Sequence, residues 1–230
     1  MSRDVLDNRQ KRLSLCVRDL INEGASSARF AVGYLFLDGL LPLREEIESL
    51  GKIEILIGNV INRVSDEEVR EMVDLKVRGG EEWVRDQEDV ASTLRDVHDR
   101  SAAETAANLR RTIESIPHTP EAQALLLTLA RRIADGGLKV RLYTHGRIHA
   151  KVSLLRYPAG HASAPGVAIV GSSNLTMPDA GNPTELNVVV RDPASVHAVS
   201  NWFRNLWSTS QDFHRELFDE LGQSWVLQRE

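Results

Sequence analysis

Six runs of apolar and β-branched residues, separated by helix signals, constrain the fold of this chain more than any other feature. The first two are residues 29–40 and 52–60. Between them, residues 42–51 begin with Pro42, carry acids in the first turns and end at Gly51, which is typical of a short helix. Strand, helix and strand in this order predict a β-α-β unit with two parallel strands.

The other four runs follow in the C-terminal half, between two amphipathic segments. The strands are predicted at residues 138–144, 148–157, 166–172 and 185–192. Helices are predicted at 121–137 and 193–210. One face of the second helix is apolar and is predicted to pack in the core; it consists of Val196, Val199, Phe203 and Leu206. Trp202 and Trp207 lie beside this stripe and are also predicted to be core residues. The pattern predicts an α/β fold with a mixed, mostly parallel sheet flanked by helices.

Charge divides the chain unevenly. Residues 65–115 hold 14 Asp and Glu against 8 Lys and Arg, a net of −6, so the remaining residues carry +1 of the whole-chain net charge of −5. Their charge density and Ala-rich patches predict a solvated helical insertion outside the sheet, with a protein-docking surface as the alternative. Residues 136–178, by contrast, contain no acid. That stretch favours a site for an anion.

Composition limits the class of protein. The single cysteine, Cys16, excludes an internal disulfide framework and a four-thiolate zinc site, and is expected to be inert. The charged opening MSRDVLDNRQKR lacks the apolar core of a secretory signal, and no run approaches the ~20 apolar residues of a membrane helix. We expect a soluble, cytoplasmic protein with no membrane partner.

A histidine and a lysine stand two residues apart in the predicted strand 148–157. Alternation along a strand places His149 and Lys151 on the same face. Two groups that can both be cationic repel each other unless an anion lies between them. Three arginines are close to this pair in the sequence, namely Arg141, Arg147 and Arg156. Two interpretations of them stay open: they contact a phosphate, or they are solvated residues on strands.

Polar residues follow at the end of the next predicted strand, in the sequence GSSN. Gly171 allows a tight turn there, and Ser172 and Asn174 supply neutral hydrogen-bond donors for phosphate oxygens. Glu185 stands eleven residues after Asn174, at the start of the last predicted strand. The other six histidines have no such companions. His145 is one of them, and the remaining five are interpreted as structural or surface residues, namely His98, His118, His161, His197 and His214.

H-x-K, then G-S-x-N, then a glutamate resembles the HKD motif of the phospholipase D superfamily, mainly over residues 138–192. The resemblance implies a phospholipase-D-like fold and a phosphohistidine intermediate that forms without a metal or any other cofactor. In that scheme His149 is the nucleophile, Glu185 holds it, and the phosphate oxygens are bound by Lys151, Ser172 and Asn174. Two departures stand out: Arg156 occupies the position of the family aspartate, and the gap from Lys151 to Gly171 is longer than usual.

The chain has one such motif, although the family mechanism needs a second histidine as a general acid. Relatives with one copy form a two-fold dimer in which both motifs meet. The resemblance therefore implies a homodimer, because an isologous contact brings two His149 side chains into one composite site.

Three functions are compatible with these residues. The leading hypothesis is a metal-independent nuclease that acts on DNA or RNA, with DNA favoured. The second is a catalytically degenerate nucleic-acid-binding or dimerisation module, with Arg156 marking lost catalysis. The third is a phosphodiesterase for small or lipid substrates.

Residues 1–230 are predicted to form one domain that resembles those attached to bacterial superfamily 2 or SNF2-type helicases. The C-terminal ELGQSWVLQRE has no termination feature and is compatible with a longer protein, in which the resemblance allows a helicase domain in cis.

Overall fold

A computed structural model shows the chain built around an eight-stranded sheet. The structure describes residues 4–7, 12–58, 85–146, 148–173 and 185–226, and the backbone alone over 85–98. The strands are β1 (Val5–Asp7), β2 (Ser27–Val32), β3 (Lys52–Gly58), β4 (Leu138–Tyr143), β5 (Lys151–Arg156), β6 (Gly166–Gly171), β7 (Leu186–Val190) and β8 (Gln211–Asp212). The helices are α1 (Leu13–Asn22), a 3-10 helix (Leu37–Leu43), α2 (Arg44–Ser49), α3 (Arg85–Ser115), α4 (Pro120–Ala134), α5 (Pro193–Thr209) and α6 (His214–Gly222).

The sheet is mixed, in the order β1-β7-β6-β5-β2-β3-β4-β8. The predicted α/β class is confirmed, and so is the β-α-β unit, since β2 pairs with β3 in parallel. The parallel share is smaller than expected: of the seven described strand pairs, only β2–β3 and β3–β4 are parallel. The reason is the connections, because β5, β6 and β7 follow without the helical crossovers that parallel strands require.

Two apolar clusters cover the two faces of the sheet. The larger one joins the sheet to α1, α2, α4 and α6, with buried residues such as Leu125 and Leu217; this side of the sheet is called the α1 face. On the opposite side, called the α5 face, α5 is the only helix of the described residues in the cluster, and it packs through Val196 and Phe203. These two residues are buried as predicted, and the rest of the predicted stripe is partly buried against the same cluster.

The predicted insertion at 65–115 is helical over residues 85–115, and residues 59–84 lie outside the described part of the chain. Its C-terminal end is solvated on one face only, whereas the expectation was a helix outside the core. Leu109 and Ile113 are buried in the larger cluster. Arg110 also donates two hydrogen bonds to Glu220 of α6, at 2.8 and 2.7 Å. This end of α3 therefore belongs to the core of the fold.

The predicted strand 29–40 is wrong in its second half. The strand ends at Val32, and a 3-10 helix follows over Leu37–Leu43. The buried residues Leu37, Leu40 and Leu43 recur every three positions, which is the period of a 3-10 helix rather than of a strand. Among the described residues, no helix is both long and apolar enough to cross a membrane.

Candidate active site

The segment between β4 and β5 carries His149 across the ends of the parallel strands. A Cβ added at Gly58, the last residue of β3, would lie 3.0 Å from Cβ of Ile148. Glycine at this position therefore allows the segment to pass directly over the strand end. Ile148 is buried in the cluster of the α5 face, whereas His149 is exposed. The candidate nucleophile thus lies near the carboxyl ends of the parallel strands, where α/β sheets commonly bind ligands.

The expectation that His149 and Lys151 share one strand is wrong. β5 begins at Lys151, and residues 148–150 have no regular structure. The segment must change direction after crossing the sheet, and Ile148 anchors it there, so strand geometry starts only at Lys151. Alternation consequently does not fix the direction of the His149 side chain relative to Lys151.

Three adjacent strands bring most of the remaining motif residues to one end of the sheet. In the pairing register, Lys151 of β5 lies opposite Gly171 of β6, which in turn lies opposite Asn187 of β7. Neighbouring strands are about 4.8 Å apart, so this row spans roughly 10 Å. Ser172 directly follows the row on β6, and Glu185 stands two residues before Asn187. Sequence positions far apart are therefore close in the sheet.

A buried hydrogen-bonded pair supports the turn after β6. The Asn187 side-chain amide donates to the Ser173 hydroxyl at 2.7 Å, and the Ser173 backbone N–H donates to Asn187 Oδ1 at 3.3 Å. Both residues are 1% exposed. A Cβ at Gly171 would be 2.7 Å from the Asn187 Cα, so only glycine fits beside this pair. Sequence reasoning missed Asn187 and Ser173; an asparagine within the apolar run ELNVVV was the available signal.

Ser172 is exposed at this turn and retains a proton to donate. Its backbone N–H donates to the Leu186 carbonyl at 3.2 Å, and its hydroxyl oxygen accepts from the Leu186 N–H at 3.3 Å. Because the hydroxyl acts as an acceptor in that bond, its O–H group can donate to an anion from solvent. Asn174, its predicted partner, lies outside the described residues.

Lys151 lies near neutral polar residues. It lines a cavity of about 10 Å³ on the α1 face together with Ser153, Ser173 and Asn187. Such a volume holds no more than about one water molecule. Two of these neighbours, Ser173 and Asn187, have dipoles that are already fixed by hydrogen bonds to each other.

The arginines near the motif differ in their surroundings. Arg141 donates to Asp212 at 2.9 Å and to the Trp207 carbonyl at 2.7 Å, and its guanidinium lies 5.2 Å from the Trp207 ring centre. These contacts give it a structural role and do not favour a phosphate contact. Arg156 is exposed at the far end of β5, five residues from Lys151, or roughly 17 Å along the strand. Arg147 lies outside the described residues.

Two of the remaining histidines have structural contacts, as expected. His118 stacks on Trp225, with ring centres 4.0 Å apart, and His161 stacks on Tyr157 at 4.4 Å. His161 Nε2 also lies 2.8 Å from the Glu23 carbonyl oxygen, to which it must donate. The side chain of His98 lies outside the described part of the chain.

Comparisons with known proteins support the resemblance at the coarser level. Residues 94–207, just under half of the chain, match the family model described as the PLD-like domain of cardiolipin synthase. This range contains every predicted site residue, and the match supports the phospholipase D superfamily and phosphodiester-related chemistry. No curated protein matches the chain.

Solved structures show a distant likeness to this chain, among them a polyphosphate kinase. The polyphosphate kinase of Porphyromonas gingivalis matches with 14% identity and a TM-score of 0.47, over 89% of this chain and 26% of that protein. This chain therefore spans about a quarter of the length of that neighbour. The predicted association with a helicase stays a prediction.

Proposed function

We propose that this protein is a phospholipase-D-like phosphodiesterase that cleaves nucleic-acid phosphodiester bonds with His149 as the nucleophile. The family match supports the phosphodiester chemistry. The observation that carries the proposal further is the row across β5, β6 and β7, which brings Lys151, Ser172 and Glu185 to one end of the sheet. A lysine, a free hydroxyl donor and a carboxylate beside an exposed histidine are the groups that an in-line attack on phosphorus needs.

The proposed reaction has two displacements. Neutral His149 attacks phosphorus, a P–N bond forms, and the P–O bond to the leaving nucleoside breaks as that oxygen takes a proton from a second histidine. Water then attacks the phosphohistidine, gives its proton to that second histidine and breaks the P–N bond. Lys151 and Ser172 stabilise the phosphate oxygens in both steps, and Glu185 holds the His149 tautomer.

The second histidine is proposed to be His149 of another copy of the chain. Exposed apolar side chains lie on β1 and β7, the two strands at the edge of the sheet nearest Glu185: Leu186 is 56% exposed, Val5 49% and Val188 44%. Val5 lies directly opposite Val188 in the pairing of β1 with β7. Such a patch favours burial against a partner, and a two-fold axis beside it would bring both motifs together.

The assembly has its own test. Light scattering should give about twice the monomer mass of 25.7 kDa. Leu186→Lys should shift the protein to the monomer and lower cleavage in parallel, because it buries a charge in the proposed contact. Phe218→Lys is the matched control, since Phe218 is 40% exposed on α6, away from the motif. A wild-type monomer that cleaves with full activity would overturn the composite site.

The catalytic proposal is tested by cleavage of plasmid and single-stranded DNA in EDTA. Wild type should cleave, and His149→Ala should lower the rate by a factor of at least about a thousand while its melting temperature stays unchanged. His214→Ala is the control, because His214 is also exposed but lies at the start of α6. Equal cleavage by wild type and His149→Ala would exclude His149 as the nucleophile.

The alternative is a binding module that keeps the fold without catalysis. The observation that favours it is Arg156 at the position of the family aspartate. DNA binding by a protein that cleaves neither DNA, RNA nor a choline lipid would support this function. Turnover of the lipid alone would support the third hypothesis instead.

A further inference from the structure

A basic groove lies between α5 and the sheet, at the end of β5 opposite the motif. Its volume is about 170 Å³. The sheet contributes Arg29 and Arg156, and α5 contributes His197, Ser200 and Arg204. None of the described residues that line this groove is acidic. Three arginines and a histidine thus line one groove of a chain whose net charge is −5.

Arg29 is held rigidly at the base of the groove. Its Nε lies 2.6 Å from Glu54 Oε2, and its Nη1 donates to the Ser200 hydroxyl at 3.3 Å. The guanidinium carbon lies 5.5 Å from the centre of the Phe203 ring. Lys52 adds a second contact to Glu54, at 2.6 Å. One buried carboxylate thus compensates only one of these two cations.

Arg156 and Arg204 add positive charge at the rim. Both are exposed, and Arg204 donates to the neutral side chain of Asn201. The four cations Arg29, Lys52, Arg156 and Arg204 and the single carboxylate of Glu54 together carry a net charge of +3. This sum counts His197 as neutral. Guanidinium groups that line one groove repel each other, and an anion placed between them would relieve the repulsion.

We propose that this groove, lined by Arg29, Arg156 and Arg204, is a second anion site that binds a phosphate group. Guanidinium forks match the geometry of phosphate oxygens and bind them in pairs. The Ser200 hydroxyl and the His197 ring provide further donors at the same place. A carboxylate ligand would use the same forks, but a phosphate can engage all three arginines because it presents more oxygens.

The groove is separate from the motif and does not depend on the proposed nuclease activity. Lys151 and Arg156 stand at opposite ends of β5 and, five residues apart, on opposite faces of the sheet. Leu154, on the same face as Arg156, belongs to the cluster under α5. One phosphate group therefore cannot touch both sites.

Titration with inorganic phosphate tests the site. It is done by calorimetry at constant ionic strength, on the full chain carrying Lys151→Ala so that the motif contributes no lysine. We expect saturable binding that Arg156→Ala with Arg204→Ala weakens by roughly tenfold or more, the scale of a lost charge-assisted hydrogen bond. Arg100→Ala with Arg215→Ala removes the same charge from two exposed arginines on α3 and α6 and should leave binding unchanged. Thermal melting checks that each variant is folded.

A second arm identifies the source of the phosphate. Binding of a short single-stranded oligonucleotide is measured over a range of salt concentrations with the same variants. If the groove holds a strand phosphate, the double variant should bind the oligonucleotide more weakly and with a shallower salt dependence. If the ligand is a small phosphate ester, only the binding of inorganic phosphate should weaken. The absence of saturable phosphate binding, or equal losses in both double variants, would overturn the proposal.

Discussion

At its first residue β5 holds Lys151 beside neutral groups, whereas at its last residue it holds Arg156 among other cations. The polar groups at the first end are Ser173 and Asn187, and they are fixed by each other's hydrogen bonds. At the other end, exposed guanidinium groups surround an open groove. Fixed dipoles suit the stabilisation of charge in a transition state, and an excess of like charge suits the binding of an anion. One strand thus presents two cations with different expected consequences for cleavage.

Of the two cations on β5, Lys151 should have the larger effect on cleavage when it is replaced by alanine. Cleavage should fall by roughly 10²–10³ because a preorganised donor to the phosphate oxygens is lost. The melting temperature should change little, since Lys151 is half-buried at a strand end. Lys139→Ala, which removes an exposed lysine from β4, is the control and should cleave normally. Similar small losses in both variants would show that only the overall charge matters.

Asn187→Ala should disrupt the buried hydrogen-bonded pair that supports the same site. It leaves the Ser173 hydroxyl and N–H without their partner in a buried position, so the free energy of unfolding should fall by about 1–3 kcal/mol. Cleavage should fall as well, because Ser172 adjoins the loosened turn. Urea unfolding measures the first effect, with Asn205→Ala on the exposed side of α5 as the control. Unchanged stability of Asn187→Ala would mean that the buried pair contributes nothing to this turn.

The succession of six strands along the chain and the motif were predictable from the sequence because they rest on local patterns, whereas the short edge strands β1 and β8 were not predicted. Runs such as GVAIVGS and ELNVVVRD have strand composition and are bounded by turn residues, so β6 and β7 were placed within two residues. The candidate site was identified from the spacing of four residues in the predicted strands 148–157, 166–172 and 185–192, namely His149, Lys151, Gly171 and Glu185. Local periodicity therefore carried most of the information on the strands.

Contacts between distant segments were not predictable in this way. His149 leaves the strand because Ile148 packs over Gly58, which is 90 residues earlier in the chain. The basic groove joins Arg29, Arg156 and Arg204, and no spacing rule connects three residues from separate elements. The period of three in Leu37, Leu40 and Leu43 was visible, but the apolar composition of the segment favoured a strand. Tertiary packing decided each of these features.

Glu54→Gln should change how stability at the groove end depends on pH. Burial alone would raise the pKa of Glu54, but hydrogen bonds from Lys52 and Arg29 hold that pKa below its ordinary value. The ionised carboxylate therefore stabilises the fold fully above the unfolded-state pKa near 4.5, and this stabilisation is lost as the pH falls through the lower folded-state pKa.

Urea unfolding from pH 7 to pH 3 tests this dependence. Glu54→Gln should be less stable than wild type at pH 7, by about 1–3 kcal/mol. The difference in the free energy of unfolding should shrink toward pH 3, because protonation of Glu54 removes from wild type the stabilisation that the variant already lacks. Glu45→Gln, which removes an exposed carboxylate beside Arg44, should follow the wild-type curve. A constant difference between wild type and Glu54→Gln at all pH values would contradict the assigned pKa direction.

Arg156→Asp should have the smallest effect on cleavage, although it restores the residue that the resembling family has at this position. Arg156 is at the far end of β5 and on the other face from Lys151, and sites more than ~10 Å apart usually act independently, so the rate should stay within about threefold of wild type. Phosphate binding in the groove should be lost in the same variant, because an acid replaces one of the three guanidinium groups. Arg100→Asp, with the same charge reversal on α3, should change neither property. A large gain in cleavage by Arg156→Asp would instead show that Arg156 silences the motif, and the two ends of β5 would then have to be treated as one site.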